Sequence, residues 1–186
     1  MGEVRIPDPA LVVLGVLYRD SAVLDSVQEL IQPVLGRISR AAQPVPFQVT
    51  DYYEREFGDQ LSRVFLTGTK FIRRELLADL KLWTNQIEKD HARTDGSRRI
   101  NLDPGLLTEE NFVLATTKNR GHRIYLRDGI FAEVTLVFHL GRFEPLASTF
   151  PDYRSPETLG VFEDIRKGYR RILKSADYQV LQEVAP

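Results

Sequence analysis

An uninterrupted apolar run occupies residues 10–17, between Pro9 and a polar Tyr-Arg-Asp sequence. An apolar run of strand length without alternation is typical of a β-strand that is buried on both faces. Asp20 or Ser21 can then cap a helix whose apolar residues recur at helical spacing up to Gly36. The pattern therefore predicts a fully buried strand followed by an amphipathic helix.

The middle of the chain adds two strands, a helix and another strand. Residues 38–49 have extended character but contain two prolines, which predicts an edge or irregular strand. Residues 61–65 predict a further strand with a turn at residues 67–68, and the helical stripe of residues 72–87 predicts the clearest helix. Residues 99–102 predict a short strand that ends at an Asp-Pro-Gly turn signal. The order so far is βαββαβ, which is the ferredoxin-like pattern.

The C-terminal part of the chain predicts a meander and a last helix. Residues 108–114 begin with a capping threonine and predict a short helix. Segments at residues 123–126, 130–138 and 142–146 are joined by glycine-containing turns and predict three antiparallel strands. Ser-Pro-Glu at residues 155–157 predicts the start of the final helix. The predicted fold class is therefore α+β, with a ferredoxin-like βαββαβ core extended by an antiparallel meander and a final helix.

Composition narrows the class of protein. The chain has 186 residues, of which 42% are hydrophobic, so we expect a single domain spanning residues 1–186. It has no cysteine, which excludes disulfides, thiolate zinc sites, iron–sulfur clusters and a cysteine nucleophile. Lysine and arginine total 25 and aspartate and glutamate total 26, a balance that argues against nucleic acid as the main partner. Because no apolar run suits a signal peptide or a membrane span, we expect a cytoplasmic protein without a membrane partner.

Several motifs with fixed spacing are missing from the sequence. Gly68-Thr69-Lys70 lacks the glycines of a phosphate-binding P-loop, and neither G-x-G-x-x-G nor the G-x-S-x-G nucleophile elbow occurs. There is also no H-E-x-x-H zinc motif and no paired His-x-Thr or His-x-Ser motif. The sequence therefore indicates none of the reactions that depend on these motifs.

Polar residues cluster in four segments, the first of which contains Asp51, Tyr52, Tyr53 and Glu56. Two carboxylates with two phenols can bind a cation or orient a substrate hydroxyl. The alternative interpretation is a tyrosine-bearing loop or a helix cap.

In the second segment, Arg99, Asn101 and Asp103 alternate with apolar residues along the predicted strand. Side chains at every second position of a strand point to the same face, so these three would form one wall of a ligand site. Alternatively, Asn101 and Asp103 only satisfy the backbone of the predicted turn.

The third segment is the basic stretch of residues 116–123, with Lys118, His122 and Arg123 around Gly121. Such a loop supplies cationic side chains and backbone N–H donors for a phosphate or a carboxylate. The alternative is a solvated basic turn.

The fourth segment is the apolar strand of residues 130–138, where alternation places Glu133 and Thr135 on one face. A carboxylate in apolar surroundings must be paired, protonated or directed at a wet cleft. His122 and Arg123 lie on the partner strand, within cross-strand reach. A structural ion pair is therefore the alternative to a ligand-facing glutamate.

At these four segments the sequence resembles a bacterial family known as domain of unknown function 4416. The family's elements include Thr-Asp-Tyr-Tyr, Thr-Asn-x-x-Glu, Arg-x-Asn-x-Asp-Pro-Gly, His-Arg-Ile-Tyr-Leu, Ala-Glu-Val-Thr-Leu and Pro-Asp-Tyr-Arg. The matching residues are Phe47, Thr50 to Tyr53, Glu56, Gly58, Thr84, Asn85, Glu88, Arg99, Asn101, Asp103 to Gly105, Thr117, Lys118, His122 to Leu126, Gly129, Ile130, Ala132 to Leu136 and Pro151 to Arg154. The resemblance covers nearly the whole chain but implies no activity, because none is established for the family.

We predict that the four segments meet in one polar cleft that binds a small anionic, phosphorylated or nucleotide-like ligand. Lys118, His122 and Arg123 would supply positive charge, while Asp103 and Glu133 would transfer protons or bind a divalent cation. If the ligand is turned over, Glu133, His122 and Asp103 are the catalytic candidates, and no dedicated metal ligands are predicted. The remaining ligand-binding candidates are Arg99, Asn101, Asp51, Tyr52, Tyr53, Glu56 and Thr135.

Two alternative functions stay open from the sequence. The first is a non-catalytic interaction or assembly module, for example a homo-oligomer, with exposed aromatic side chains at Tyr52, Tyr53 and Tyr153. The second is RNA binding through the basic residues of the final helix and of the preceding loops. The loop residues in this alternative are Arg98, Arg99 and Arg120.

Overall fold

The computed structural model describes residues 2–47, 57, 61–175 and 177–184. The helices are α1 (Ser21–Leu35), α2 (Leu77–Asp90) and α3 (Pro156–Ser175), with short 3-10 helices at Arg74–Leu76 and Pro151–Tyr153. The strands are β1 (Ala10–Tyr18), β2 (Ser39–Arg40), β3 (Val45–Pro46), β4 (Ser62–Ile72), β5 (Ile100–Leu107), β6 (Asn111–Thr116), β7 (Ile124–Arg127), β8 (Ile130–His139), β9 (Arg142–Pro145) and β10 (Val180–Leu181). The fold is α+β, as predicted.

The ten strands of the described residues belong to one sheet with the order β10-β4-β1-β5-β6-β8-β7, in which β2 and β3 pair with β4 and β9 pairs with β8. The pairs are antiparallel except for β10 with β4. β1 lies between β4 and β5, and β2 and β3 lie on the far side of β4. This is the strand order and direction of a βαββαβ core, and it supports the ferredoxin-like assignment, which stays a prediction.

The helices cover both faces of this sheet. Val12, Leu14 and Val16 of β1 belong to the core cluster formed with α1 and α2, whereas Leu11 and Val13 belong to the cluster formed with α3. Successive side chains of a strand point to opposite faces, so a strand between two helical layers must be apolar at every position. Every residue of β1 is buried, which confirms the prediction of a doubly buried strand.

Local signals set the ends of several elements. The Asp20 carboxylate caps α1 by accepting a hydrogen bond from Ala22 N at 2.9 Å, and Gly36 ends the helix. The meander turns contain the pairs Asp128-Gly129 and Leu140-Gly141, all with positive φ, as type I′ hairpin turns require. The predicted first helix and meander are therefore confirmed. No helix among the described residues is long and apolar enough to cross a membrane.

The predicted turn at residues 67–68 is wrong, because β4 continues through it to Ile72. The register between β4 and β1 shifts between Leu11 and Val13, which marks a bulge. A Cβ atom on Gly68 would overlap the backbone carbonyl of Leu35. The close approach of α1 therefore requires a glycine at this position. Because β4 extends to Ile72, the following helix begins at Leu77 and not at residue 72.

The predicted end of the strand at Asp103-Pro104-Gly105 is also wrong, since β5 runs through these residues to Leu107. Leu102 N donates to the Glu88 side chain of α2 and not to a strand, so the backbone N–H of Leu102 is directed at the free edge of β5. By alternation Pro104 points the same way, and its missing N–H leaves no ladder hydrogen bond unmade.

The predicted helix at residues 108–114 is replaced by the β5–β6 hairpin. Thr108 Oγ1 accepts hydrogen bonds from Glu110 N and Asn111 N at 3.2 and 3.1 Å, so the threonine closes a turn instead of capping a helix. The residues that follow form β6.

Candidate functional site

A gap between β5 and β6 opens a deep cleft among the described residues. The two strands pair only from Gly105 with Leu114 to Leu107 with Phe112. Residues 100–104 of β5 keep β1 as a partner on one side, while β6 continues along β8. The strands therefore separate, and a cleft of about 1160 Å³ opens between them.

The lining of this cleft is rich in charge and positive on balance. Its described basic residues are Arg63, Lys81, Lys89, Arg98, Lys118 and Arg123, and its described acidic residues are Glu88, Asp103, Glu133 and Asp152. The described lining thus carries a formal charge of about +2 at neutral pH, although the whole chain carries a formal charge of −1.

Helix α2 replaces the missing strand neighbour of β5. Lys81 Nζ donates to Leu102 O at 2.8 Å, and Leu102 N donates to Glu88 Oε1 at 2.7 Å. Both side chains are buried, and buried backbone groups need such partners. Burial raises the pKa of Glu88, and the nearby Lys81 charge opposes that rise.

A chain of hydrogen bonds continues from Glu88 along the free edge of β5. Arg98 Nη1 lies 3.3 Å from Glu88 Oε2 and donates to Asn101 Oδ1 at 2.5 Å. Asn101 Nδ2 in turn donates to Asp103 Oδ2 at 2.8 Å. The polar side chains on this wall are therefore held in fixed orientations, as a preorganised site requires.

Arg63 stands at the end of this network, between two carboxylates. Its guanidinium lies 3.5 Å from Asp103 Oδ2 and forms an ion pair with Asp152, while only 5% of its side chain is exposed. The guanidinium also lies 5.5 Å from the ring centre of Tyr153. Burial raises the pKa of Asp152; the Arg63 charge opposes this rise and the Asp103 charge adds to it.

Gly15 of β1 makes room for this arrangement. A Cβ atom on Gly15 would overlap the Tyr153 hydroxyl oxygen and would lie 2.8 Å from Arg63 Nη1. The wall can therefore bring the arginine and the tyrosine against the sheet only because this position has no side chain.

Glu133 dominates the opposite wall, on β8. Its Oε2 accepts from Arg123 Nε at 2.6 Å and lies 3.3 Å from His122 Nε2. The residue is only 2% exposed, and its buried Oε1 has no hydrogen-bond partner among the described residues. Arg123 also donates from Nη1 to Lys118 O at 2.7 Å, so the basic loop is tied to the same carboxylate.

The family model for a domain of unknown function (DUF4416) matches residues 8–169. The chain belongs to the DUF4416 family. No curated protein and no solved structure matches the chain. In this DUF4416 protein every charged residue of the described cleft lining lies inside the matched region, so the cleft is part of the family domain.

The structure brings together five of the predicted site residues. Those that line the cleft are Asn101, Asp103, Lys118, Arg123 and Glu133. His122 contacts Glu133 from outside the lining, with 40% of its side chain exposed. The Glu133–Arg123 ion pair, which was the alternative interpretation from the sequence, is present, but His122 and Arg123 precede β7 instead of lying on it. Glu133 also lines the cleft.

Two predicted residues lie elsewhere. Arg99 does not line the cleft; its Nη2 lies 2.9 Å from Asp20 Oδ2 at the start of α1. Thr135 is fully buried and is skipped in the register between β8 and β6, which marks a bulge there. The bulge breaks the alternation that placed Thr135 beside Glu133. The predicted residues Asp51, Tyr52, Tyr53 and Glu56 lie outside the described residues.

Six charged residues of the described cleft lining were not among the predicted site residues: Arg63, Lys81, Glu88, Lys89, Arg98 and Asp152. A signal existed for the pair on α2, because Lys81 and Glu88 lie seven residues apart and share a helix face with Thr84. Arg63 directly precedes the apolar residues Val64, Phe65 and Leu66 of its strand, a weaker form of the signal that identified Glu133. Among the described residues, no group of three or more histidine, aspartate and glutamate side chains could hold a metal ion.

Proposed function

We propose that the cleft binds a small anionic ligand, with phosphorylated and nucleotide-like molecules as the favoured class. The observation that carries the proposal is the net positive charge of the described cleft lining, in a chain whose net charge is negative. A cleft with such walls concentrates anions. Its volume of about 1160 Å³ is ample for a nucleotide-sized molecule.

The types of side chain in the cleft support the same ligand class. Arg63 and Arg98 present planar guanidinium groups, which match phosphate and carboxylate geometry. Phe150 also lines the cleft and is 44% exposed, so its ring offers a flat apolar surface for stacking. A molecule with an anionic group and a planar or sugar-like body uses both features.

Turnover of the ligand is the second part of the proposal. Glu133 lines the cleft and is the candidate for general acid–base catalysis. His122 lies outside the described lining and would act through Glu133, whose Oε2 is 3.3 Å from His122 Nε2. On the other wall, burial raises the pKa of Asp152, so this carboxyl is the candidate proton donor near the ligand.

A protein-interaction module is the second candidate function. β7 forms one edge of the sheet and exposes Ile124, Tyr125 and Leu126 to solvent, and exposed apolar edge strands favour association. Tyr153 was predicted as an exposed interface residue, but this is wrong because the residue is 1% exposed. RNA binding is less favoured, since the whole chain carries a formal charge of −1.

Thermal-shift measurements and calorimetry with phosphorylated and unphosphorylated ligand pairs test the proposal. The pairs are AMP with adenosine and ribose 5-phosphate with ribose. A ligand at a hundred times its Kd stabilises the folded state by about 2.7 kcal/mol, so the phosphorylated member of each pair should raise Tm and the other should not.

Lys118→Met should weaken binding of the phosphorylated member, because it removes a cleft cation. Lys167→Met is the matched control, since Lys167 lies on α3 with 72% of its side chain exposed. Equal responses to both members of each pair, or equal affinities of the two variants, would contradict the proposal.

A further inference from the structure

Glu133 Oε1 is a buried carboxylate oxygen in the cleft wall without a hydrogen-bond partner among the described residues. Nearly all buried polar atoms in folded proteins have a partner, and an unsatisfied one is costly. We infer that this oxygen accepts a hydrogen bond from an O–H or neutral N–H group of the ligand. The inference rests on the proposed function and makes the ligand an organic anion with a donor group away from its anionic group.

The surroundings of Glu133 favour a neutral donor over a second cation. Arg123 Nε already lies 2.6 Å from Oε2, and the side chains of Arg123 and Glu133 are only 5% and 2% exposed. The pair is therefore neutral as a unit, and a further buried cation would have no counter-charge of its own. A hydroxyl or amino hydrogen satisfies Oε1 without adding charge.

The two walls of the cleft suit different chemical groups, so we expect each wall to contact a different end of the ligand. Glu133 belongs to β8, whereas the guanidinium groups of Arg63 and Arg98 belong to the β4 and β5 side of the gap. A bare inorganic anion engages cations but has no separate donor for the β8 wall. A sugar phosphate or a nucleotide has phosphate at one end and hydroxyl or amino groups at the other, so it can engage both walls.

Glu133→Gln tests the inference because it replaces one carboxylate oxygen with an NH2 group. Arg123 retains the remaining oxygen, so the amide presents a donor where the ligand needs an acceptor. Ribose 5-phosphate and AMP are the donor-bearing probes, and sulfate is the donor-free anion. The matched control is Glu144→Gln on β9, because Glu144 does not line the described cleft.

The affinity of Glu133→Gln should fall for the donor-bearing probes but not for sulfate. Loss of a hydrogen bond to a charged acceptor should weaken the donor-bearing probes by about tenfold to a hundredfold. Sulfate should bind as well or better, because the variant removes a negative charge from the wall. Weakening of both kinds alike, or no change in either, would overturn the inference, whereas no binding of any probe to the unchanged chain would overturn the proposed function itself.

Ligand pairs on the unchanged chain give a second test, should the variant fail to fold. AMP is compared with purine riboside 5′-monophosphate, which lacks the amino group, and ribose 5-phosphate with 2-deoxyribose 5-phosphate, which lacks one hydroxyl. We expect at least one analogue to bind about tenfold more weakly than its donor-bearing partner. Equal affinity within both pairs would overturn the inference.

Discussion

Replacement of Arg63 by methionine should expose the energetic basis of the cleft wall. The arginine is buried between Asp103 and Asp152, and methionine keeps much of the side-chain length while removing the charge. Two carboxylates would then face each other without the cation that now separates them. The folded state can respond only by repelling, hydrating or protonating one of the two groups.

The expected cost follows from this burial. Removal of one partner from a buried ion pair destabilises a protein by about 3 to 5 kcal/mol, a large part of the roughly 5 to 15 kcal/mol that holds a typical domain folded. For a chain of this size, that corresponds to a fall in Tm of about 6 to 20 °C. Arg40→Met is the matched control, because the Arg40–Asp25 pair is exposed and should cost about 1 kcal/mol or less.

Urea unfolding at about pH 5 and about pH 7.5 provides the assay. Without Arg63, nothing at this position opposes the effect of burial on Asp152, so the folded-state pKa of Asp152 rises further. A carboxyl whose pKa is raised on folding contributes stability at low pH and loses it as pH increases through the folded pKa. The variant should therefore be more strongly destabilised at the higher pH. A loss below about 1 kcal/mol, or an equal loss at both pH values, would refute the reasoning.

Two further substitutions test other parts of the wall. Gly15→Ala should destabilise the protein by about 1 to 3 kcal/mol in urea unfolding, because the new methyl group would overlap the Tyr153 hydroxyl; Gly160→Ala in α3 has open space around it and should stabilise by up to about 1 kcal/mol. The free energy of unfolding of Glu88→Gln should lie furthest below that of the unchanged chain at about pH 4 and should approach it by about pH 7. Burial raises the pKa of Glu88, so the unchanged chain loses the stability contributed by the protonated carboxyl over this range. Equal costs of the two alanine variants, or a Glu88→Gln disadvantage that is constant with pH, would contradict these expectations.

The elements that the sequence predicted well are those whose signals are local. β1 is a continuous apolar run, Asp20 is a capping residue, and the meander turns contain Asp128-Gly129 and Leu140-Gly141. In each case the residues that carry the signal also make the contact. Such patterns survive folding because no distant part of the chain has to supply a partner.

The errors occurred where glycine or proline serves a tertiary contact. Gly68 and Pro104 have the same local signature as turn residues, but one faces the end of α1 and the other faces a free strand edge. The bulge at Thr135 similarly depends on how β8 pairs with β6. These features are set by neighbours that are distant in sequence, so a local pattern cannot distinguish them.

The candidate site was predicted for residues that looked out of place in an apolar context. Glu133 and Asp103 were found in this way, whereas Lys81 and Glu88 read as ordinary polar residues of an amphipathic helix. They are buried because Leu102 has no strand neighbour on the side away from β1, so its backbone groups on that side form hydrogen bonds with α2. A helix surface that covers a gap in a sheet is polar because it supplies hydrogen bonds to the unpaired strand. Its sequence pattern is therefore the same as that of a helix surface in solvent.

The short pairing between β5 and β6 has a mechanical consequence. Three residue pairs join the part of the sheet that contains β1 to the part that contains β8, so few ladder hydrogen bonds connect these two parts beside the cleft. A ligand that contacts both parts would add a second connection between them and would fix their relative orientation. The free energy of ligand binding would then also stabilise the folded arrangement of the sheet.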